Sequence, residues 1–302
     1  MSKKSEERLI DAGGVELNVQ EFGDASQPAL LLIMGLGMQM ISWPEIFCKR
    51  LAAEGYRVIR FDNRDAGLSQ KFDGKRAPGP IKLLAASKLR LPVKVPYRLH
   101  DMAADVVNLL EALDIDAAHI VGASMGGMIA QLVAALYPER VSSLTSIMSS
   151  SGNPKLPQPR PVILATLMTP AADNEESYLK NAIKTWALIG SPAYPPEDNE
   201  LRERLRFAYR RSYCPGGTAR QLAAIADCGS RARELQTIIA PTLVIHGKDD
   251  PLVPVEAGID TAELIPGARL ELIEGMGHDL PQPLWSRFVE LISDHARSAI
   301  AN

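Results

Sequence analysis

Short unbroken apolar runs alternate along this chain with stretches whose apolar residues return every three or four positions. Residues 29–33 read ALLLI. A strand buried on both faces of a parallel sheet needs such a run. The segments 56–61, 118–121, 141–148, 242–246 and 268–273 read the same way, and 15–22 alternates more weakly. Between them, 101–113 places Met102, Val106, Leu109, Leu110 and Leu113 on one helical face. Helices are also predicted at 43–54, 127–137 and 284–300, the second stopping before Pro138. Strands and helices in this alternation predict an α/β fold, a mostly parallel twisted central sheet flanked by helices.

Two stretches break the rhythm. Residues 151–236 hold clustered prolines and then helical patterns at 175–189 and 199–213, with no convincing strand. They are expected to form a helical cap over the sheet's C-terminal edge, leaving 1–150 and 237–302 as the core domain. Residues 74–100 carry seven Lys or Arg, no acidic residue and a series of Ile, Leu and Val. They read as a flap over a pocket, a contact to a lipid surface or a solvated loop.

Composition narrows the function. The chain has 302 residues, 46% of them hydrophobic, enough for one large core with an insertion or for two domains. The formal charge is −3, with 33 basic against 36 acidic residues, which argues against nucleic acid as a partner. Cys48, Cys214 and Cys228 are odd in number and lack metal-ligand spacing. With no signal-peptide pattern at the start and no apolar run long enough to span a membrane, the expected location is cytoplasmic. A homodimer is compatible with the sequence, and no pattern in it sets the oligomeric state.

The sharpest local signal is Gly122-Ala123-Ser124-Met125-Gly126. It fits G-x-S-x-G between a predicted strand and a predicted helix, the context that gives the motif meaning. A tight turn there exposes the hydroxyl of Ser124, and the glycines let neighbouring backbone approach. The bland reading is a helix-capping serine after a glycine turn. A serine needs a base. Of five histidines, His119 opens the strand and so lies at its far end from Ser124, and His246 ends a strand beside an acidic turn. His100 and His295 read as surface positions. His278 follows the last strand in a glycine-flexible loop, Glu274-Gly-Met-Gly-His278, at the edge where it could reach Ser124. The base needs an acid. Asp249 and Asp250 both follow the strand ending at His246; Asp250, before Pro-Leu-Val-Pro, is preferred, and Asp249 is expected to cap the turn or face solvent. An oxyanion needs donors, expected from the backbone of Met125 and of Leu36 in the loop after residues 29–33.

With these pieces the chain resembles the α/β-hydrolase superfamily over nearly its whole length. IMGLG at 33–37, FDNRDAGLS at 61–69, VGASMGG at 121–127, VIHGKDDPLVP at 244–254 and GMGHDLP at 275–281 carry the likeness. Within it, the chain is similar to the esterase group that includes aclacinomycin methylesterase. The resemblance implies the α/β-hydrolase fold, a triad of Ser124, Asp250 and His278, and an oxyanion hole at Leu36 and Met125. Met34-Gly35 stands where the family usually has His-Gly, and Asp65 replaces the usual glycine of the Asp-x-Arg-Gly loop, which is read as structural.

The expected activity is hydrolysis of carboxylic esters through an acyl-serine, with no metal and no organic cofactor. The expected partner is a small-molecule ester. Methionines near the catalytic loops, including Met34, Met38, Met40, Met125 and Met128, suit an apolar acyl or alcohol group. Gly35, Met38 and Met168 are expected to touch substrate. The same triad could instead open lactones, cleave C–C bonds or run cofactor-free perhydrolysis, and a ligand-binding protein with vestigial turnover is a further alternative.

Overall fold

The computed structural model describes residues 6–79, 94–167 and 171–300. Eight strands form one sheet: β1 (Arg8–Asp11), β2 (Glu16–Phe22), β3 (Ala29–Ile33), β4 (Arg57–Phe61), β5 (Ala118–Ala123), β6 (Val141–Ile147), β7 (Thr242–Gly247) and β8 (Arg269–Ile273). Their order across the sheet is β1-β2-β4-β3-β5-β6-β7-β8. The first two run antiparallel to their neighbours, and every pairing from β4 to β8 is parallel. β1 was not expected from the sequence. It pairs with β2 across a turn in which Gly13 and Gly14 both take positive φ.

The sheet is built from period-2 burial. Leu31 and Ile33 of β3 belong to one hydrophobic cluster, and Leu30 and Leu32 to another on the opposite face. All four are fully buried, each contributing about 1.5–3 kcal/mol relative to an exposed side chain. The first cluster is capped by the helices Leu99–Ala112 and Met125–Leu136, the second by Glu45–Ala53 and Trp285–Ile300. Chain progression reverses between β3 and β5, since β4 lies to one side and β6, β7 and β8 to the other. Such a switch leaves a crevice at the C-terminal ends of the strands, where open α/β sheets place their sites.

Between β6 and β7 the described residues form only helices: Pro161–Leu167, Glu175–Ile189, Asp198–Arg211, Pro215–Cys228 and Ala232–Leu235. Leu235 packs into the core cluster, so the end of this insertion is continuous with the hydrophobic interior. Residues 80–93, the centre of the basic-apolar segment, lie outside the described residues, and so does the question of what that segment does. Among the described residues no helix is long and apolar enough to cross a membrane.

The loop 61–69 is a junction, in keeping with its structural reading. Asp62 accepts hydrogen bonds from the amides of Met40 (2.7 Å) and Leu68 (2.9 Å). Asp65, a non-glycine residue at φ 68, is gripped by Arg220 of the insertion through two contacts of 2.8 and 2.7 Å. Tyr97 and the Phe72 amide complete its shell. Arg211, at the end of the helix Asp198–Arg211, turns inward to Asp62 (2.8 Å) and Glu7 (2.7 Å). One residue departs from its sequence reading. His295 is buried, its ring nitrogen against the carbonyls of Leu144 and Pro241, because the amphipathic C-terminal helix lays that face on the sheet.

His119, His246 and His295 are all buried, and burial pushes each below the ordinary histidine value, His119 to about 4. The unfolded chain takes up these protons near pH 6.5 while the folded chain refuses them, so stability falls as pH drops from there. Each refused proton steepens the loss by about 1.4 kcal/mol per pH unit. Denaturant unfolding at pH 7.5, 6.0 and 5.0 should show this slope, and His119→Gln should make it shallower.

Candidate active site

Ser124 sits between β5 and the helix Met125–Leu136 at φ 56 and ψ −119. A non-glycine residue pays about 1–3 kcal/mol for such a conformation, so the surroundings must enforce it. The Ser124 amide donates to Ile147 O at 2.9 Å, which ties the turn to β6. Its carbonyl accepts from the amides of Gly127 (2.9 Å) and Met128 (3.2 Å) and from the Ser149 hydroxyl (2.8 Å). The neighbouring glycines have steric reasons. A Cβ on Gly122 would collide with the Gly126 carbonyl, and one on Gly126 with the Ile33 carbonyl of β3.

Three side chains meet in a line. His278 Nδ1 lies 2.7 Å from Asp250 Oδ2, and His278 Nε2 lies 2.9 Å from Ser124 Oγ. A carboxylate only accepts, so Nδ1 donates to Asp250 and Nε2 is left to accept the Ser124 hydroxyl proton. Asp250 Oδ1 is held by the amides of Leu252 (2.9 Å) and Val253 (2.8 Å), and its side chain is fully buried. His246 stands behind it, its Nε2 3.6 Å from Asp250 Oδ2 and 2.8 Å from the Val253 carbonyl. Asp249 turns away and accepts the Gly275 amide at 2.8 Å, holding the start of the histidine loop. Of the two expectations for it, the solvent-facing one holds, since Asp249 is exposed and its bond goes to another loop and not to its own turn.

The loop after β3 comes up against Ser124. A Cβ on Gly35 would lie 3.1 Å from Ser124 Cβ and 3.5 Å from its Oγ, so Gly35 borders the hydroxyl. Leu36 and Met125 both line the cavity that contains Ser124 and His278, a space of about 340 Å³. Gly35, Met34, Met38 and Met128 line it too, as the methionine pattern suggested, whereas Met40 is fully buried core. Met168 lies outside the described residues. None of the described lining residues comes from the loop 61–69.

The sequence reading passed over several residues of this region. Trp186, Leu222 and Ile225 reach the cavity from the insertion. Arg204 lies at the same cavity with its guanidinium 5.3 Å from the Trp186 ring centre. The insertion also carries the histidine loop: His278 N donates to Ile189 O (2.7 Å) and Gly277 N to Ser191 Oγ (2.9 Å). Asp279 accepts the amide and hydroxyl of Ser191, and burial raises its carboxyl above the usual range. Nothing local in the sequence announces these contacts, since Ser191 and Asp279 are 88 positions apart.

Packing at the turn is tight enough to test by one methyl group. Gly126→Ala should lower stability by about 2 kcal/mol or more, read as a downward shift of several degrees in Tm. Gly267→Ala is the comparison for backbone strain alone, because Gly267 has positive φ and open space around it.

Residues 28–281 match the family model described as the alpha/beta hydrolase fold. Rhodomycin D methylesterase DauP of Streptomyces sp. (strain C5) is 30% identical, over 97% of this chain and 98% of that protein. 3-oxoadipate enol-lactonase 2 of Acinetobacter baylyi is 28% identical, over 88% of this chain and 87% of that protein. Among solved structures, the meta-cleavage product hydrolase of Pseudomonas fluorescens IP01 superposes with a TM-score of 0.75 at 23% identity, covering 97% of this chain and 98% of that one. The methylesterase likeness agrees with the esterase resemblance carried by the motifs, and the parallel sheet, the turn at Ser124 and the family match together make this chain a member of the α/β-hydrolase fold family.

Proposed function

We propose that this chain is a serine carboxylesterase in which Ser124 is the nucleophile, His278 the general base and acid, and Asp250 the residue that orients it. Its near-full-length kinship with methylesterases makes it a carboxylic ester hydrolase. The observation that supports the residue roles is the hydrogen-bonded line from Asp250 through His278 to Ser124, on the wall of a largely apolar cavity.

Each step follows from that line. His278 Nε2 takes the Ser124 proton as Oγ bonds to the ester carbonyl carbon. The carbonyl oxygen becomes an oxyanion, which the backbone N–H groups of Met125 and Leu36 stabilise, aided by the positive end of the helix that begins at Met125. The tetrahedral adduct collapses, the alkoxide leaves, and His278 gives it the proton. Water then attacks the acyl-serine while His278 removes its proton. Collapse of the second adduct releases the acid and restores the Ser124 hydroxyl. Asp250 holds the imidazole in the tautomer required and stabilises the imidazolium.

Met34, Met38, Trp186, Leu222 and Ile225 favour an apolar acyl or alcohol group at the site, with methionine able to adjust to its shape. The helical insertion supplies part of that wall and so acts as a cap over the crevice.

Two results are expected with p-nitrophenyl esters. Ser124→Ala should lower kcat by at least about a thousandfold, and Asp250→Asn similarly, while Asp249→Asn should cost less than about tenfold. Secondly, kcat/KM should rise from acetate towards hexanoate by up to about fourfold for each added CH2, until the cavity is filled. A folded parent that turns over none of these esters would overturn the esterase reading.

A further inference from the structure

Both oxyanion donors, Met125 and Leu36, are backbone amides, and the Leu36 amide sits in a loop with a glycine on each side. Gly35 and Gly37 give this segment unusual backbone freedom, and Gly37 stands at φ 66. An oxyanion donor works only if it is held before the reaction begins. What holds this one is visible on both flanks.

The Met34–Gly35 peptide is pinned by its carbonyl, which accepts from Asn63 Nδ2 at 2.8 Å. The Leu36–Gly37 peptide is pinned by its N–H, which donates to Gln221 Oε1 at 2.8 Å. The peptide between them carries the Leu36 amide. With both neighbours fixed, it has little room to rotate. Neither pin is loose: Gln221 is fully buried, and its other end donates to the Arg64 carbonyl at 2.7 Å. Asn63 is buried too and belongs to the loop 61–69. Gln221 comes from the insertion, on the helix Pro215–Cys228, whose neighbour Arg220 grips Asp65 of that same loop. A Cβ on Gly217, one turn earlier, would strike the Asp65 carbonyl, so this helix is seated hard against the loop.

We propose that Gln221 and Asn63 are positioning residues that hold the Leu36 amide towards the Ser124 oxyanion, so that the donor is completed only when the insertion is seated. The inference rests on the esterase reading. It adds a role for a side chain 184 positions from the Gly37 amide it bonds, one that is not among the residues lining the cavity. The insertion then does more than shape the pocket. It supplies one clamp on the oxyanion loop through Gln221 and, at its other end, the Ile189 carbonyl and Ser191 that hold the histidine loop.

The test is Gln221→Met, which keeps the length of the side chain and removes both hydrogen bonds. The expected result is a fall in kcat of about tenfold or more, within the range of up to a thousandfold for a donor lost outright, with KM changed less than about twofold. Rates are taken per active site titrated with a fluorophosphonate, so a misfolded fraction does not count. Affinity for a trifluoromethyl ketone, which forms a tetrahedral oxyanion on the serine, should fall by the same factor. Gln131→Met is the control. It removes an equally buried amide that bonds to Ser146 and Arg231, away from the loop, and should leave kcat per titrated site unchanged. Gln221→Glu retains an acceptor for the Gly37 amide and should recover part of the lost rate; it also serves if the Met variant does not fold. An active parent whose Gln221→Met variant keeps kcat and ketone affinity within twofold overturns the inference alone. An inactive parent overturns the esterase reading, and this inference with it.

Discussion

The close approach of β3 and β5 at their C-terminal ends is the constraint on which the rest of this molecule depends. It is close enough that the turn at Ser124 must carry glycine on the side facing Ile33. It puts Gly35 against the serine's own Cβ. Because these two strands are the neighbours at which chain progression reverses, a crevice opens there beside closely packed backbone. The strain stored at Ser124 is small beside the burial of the strands that impose it. A side chain on such a corner stands clear of its own backbone, where an imidazole from beyond β8 can reach it.

Around that corner the fold divides its labour. The sheet supplies the serine from β5 and the carboxylate from the turn after β7, both on short, heavily hydrogen-bonded turns. The histidine arrives on a looser loop with glycine at 275 and 277, and the insertion restrains it through Ile189 and Ser191. The loop after β3 is restrained in the same manner from the other side. Two largely buried ion pairs, Arg220 with Asp65 and Arg211 with Asp62, fasten the insertion to the loop after β4. Pairs of this kind add little net stability against apolar packing, yet removing one partner strands a charge, so they fix where the insertion sits. Asp65 in place of the usual family glycine fits this account, since a glycine there would have offered Arg220 nothing to hold.

What the sequence made legible follows from how local each signal is. The strands ALLLI and TLVIHG, and the G-x-S-x-G turn, declare themselves within six residues, and their elements fall within two or three residues of expectation. His278 and Asp250 could be chosen because a loop following a strand must lie at one edge of a parallel sheet. β1 escaped notice because a four-residue edge strand, mostly exposed, carries almost no apolar pattern. His295 was misread as surface because a helical face with mixed residues reveals its orientation only once the partner is in place. Gln221 and Ser191 were invisible for a deeper reason. A buried amide or hydroxyl acting on distant backbone leaves no periodicity and no motif.

The central claim is that the Ser124 hydroxyl is made nucleophilic by the imidazole of His278. Reaction with a fluorophosphonate, followed by proteolysis and peptide mass spectrometry, addresses it directly. The account predicts one phosphonylated site, Ser124, with labelling of folded His278→Ala slowed by orders of magnitude. Phosphonylation at another residue, or undiminished labelling of Ser124 without the imidazole, would contradict it.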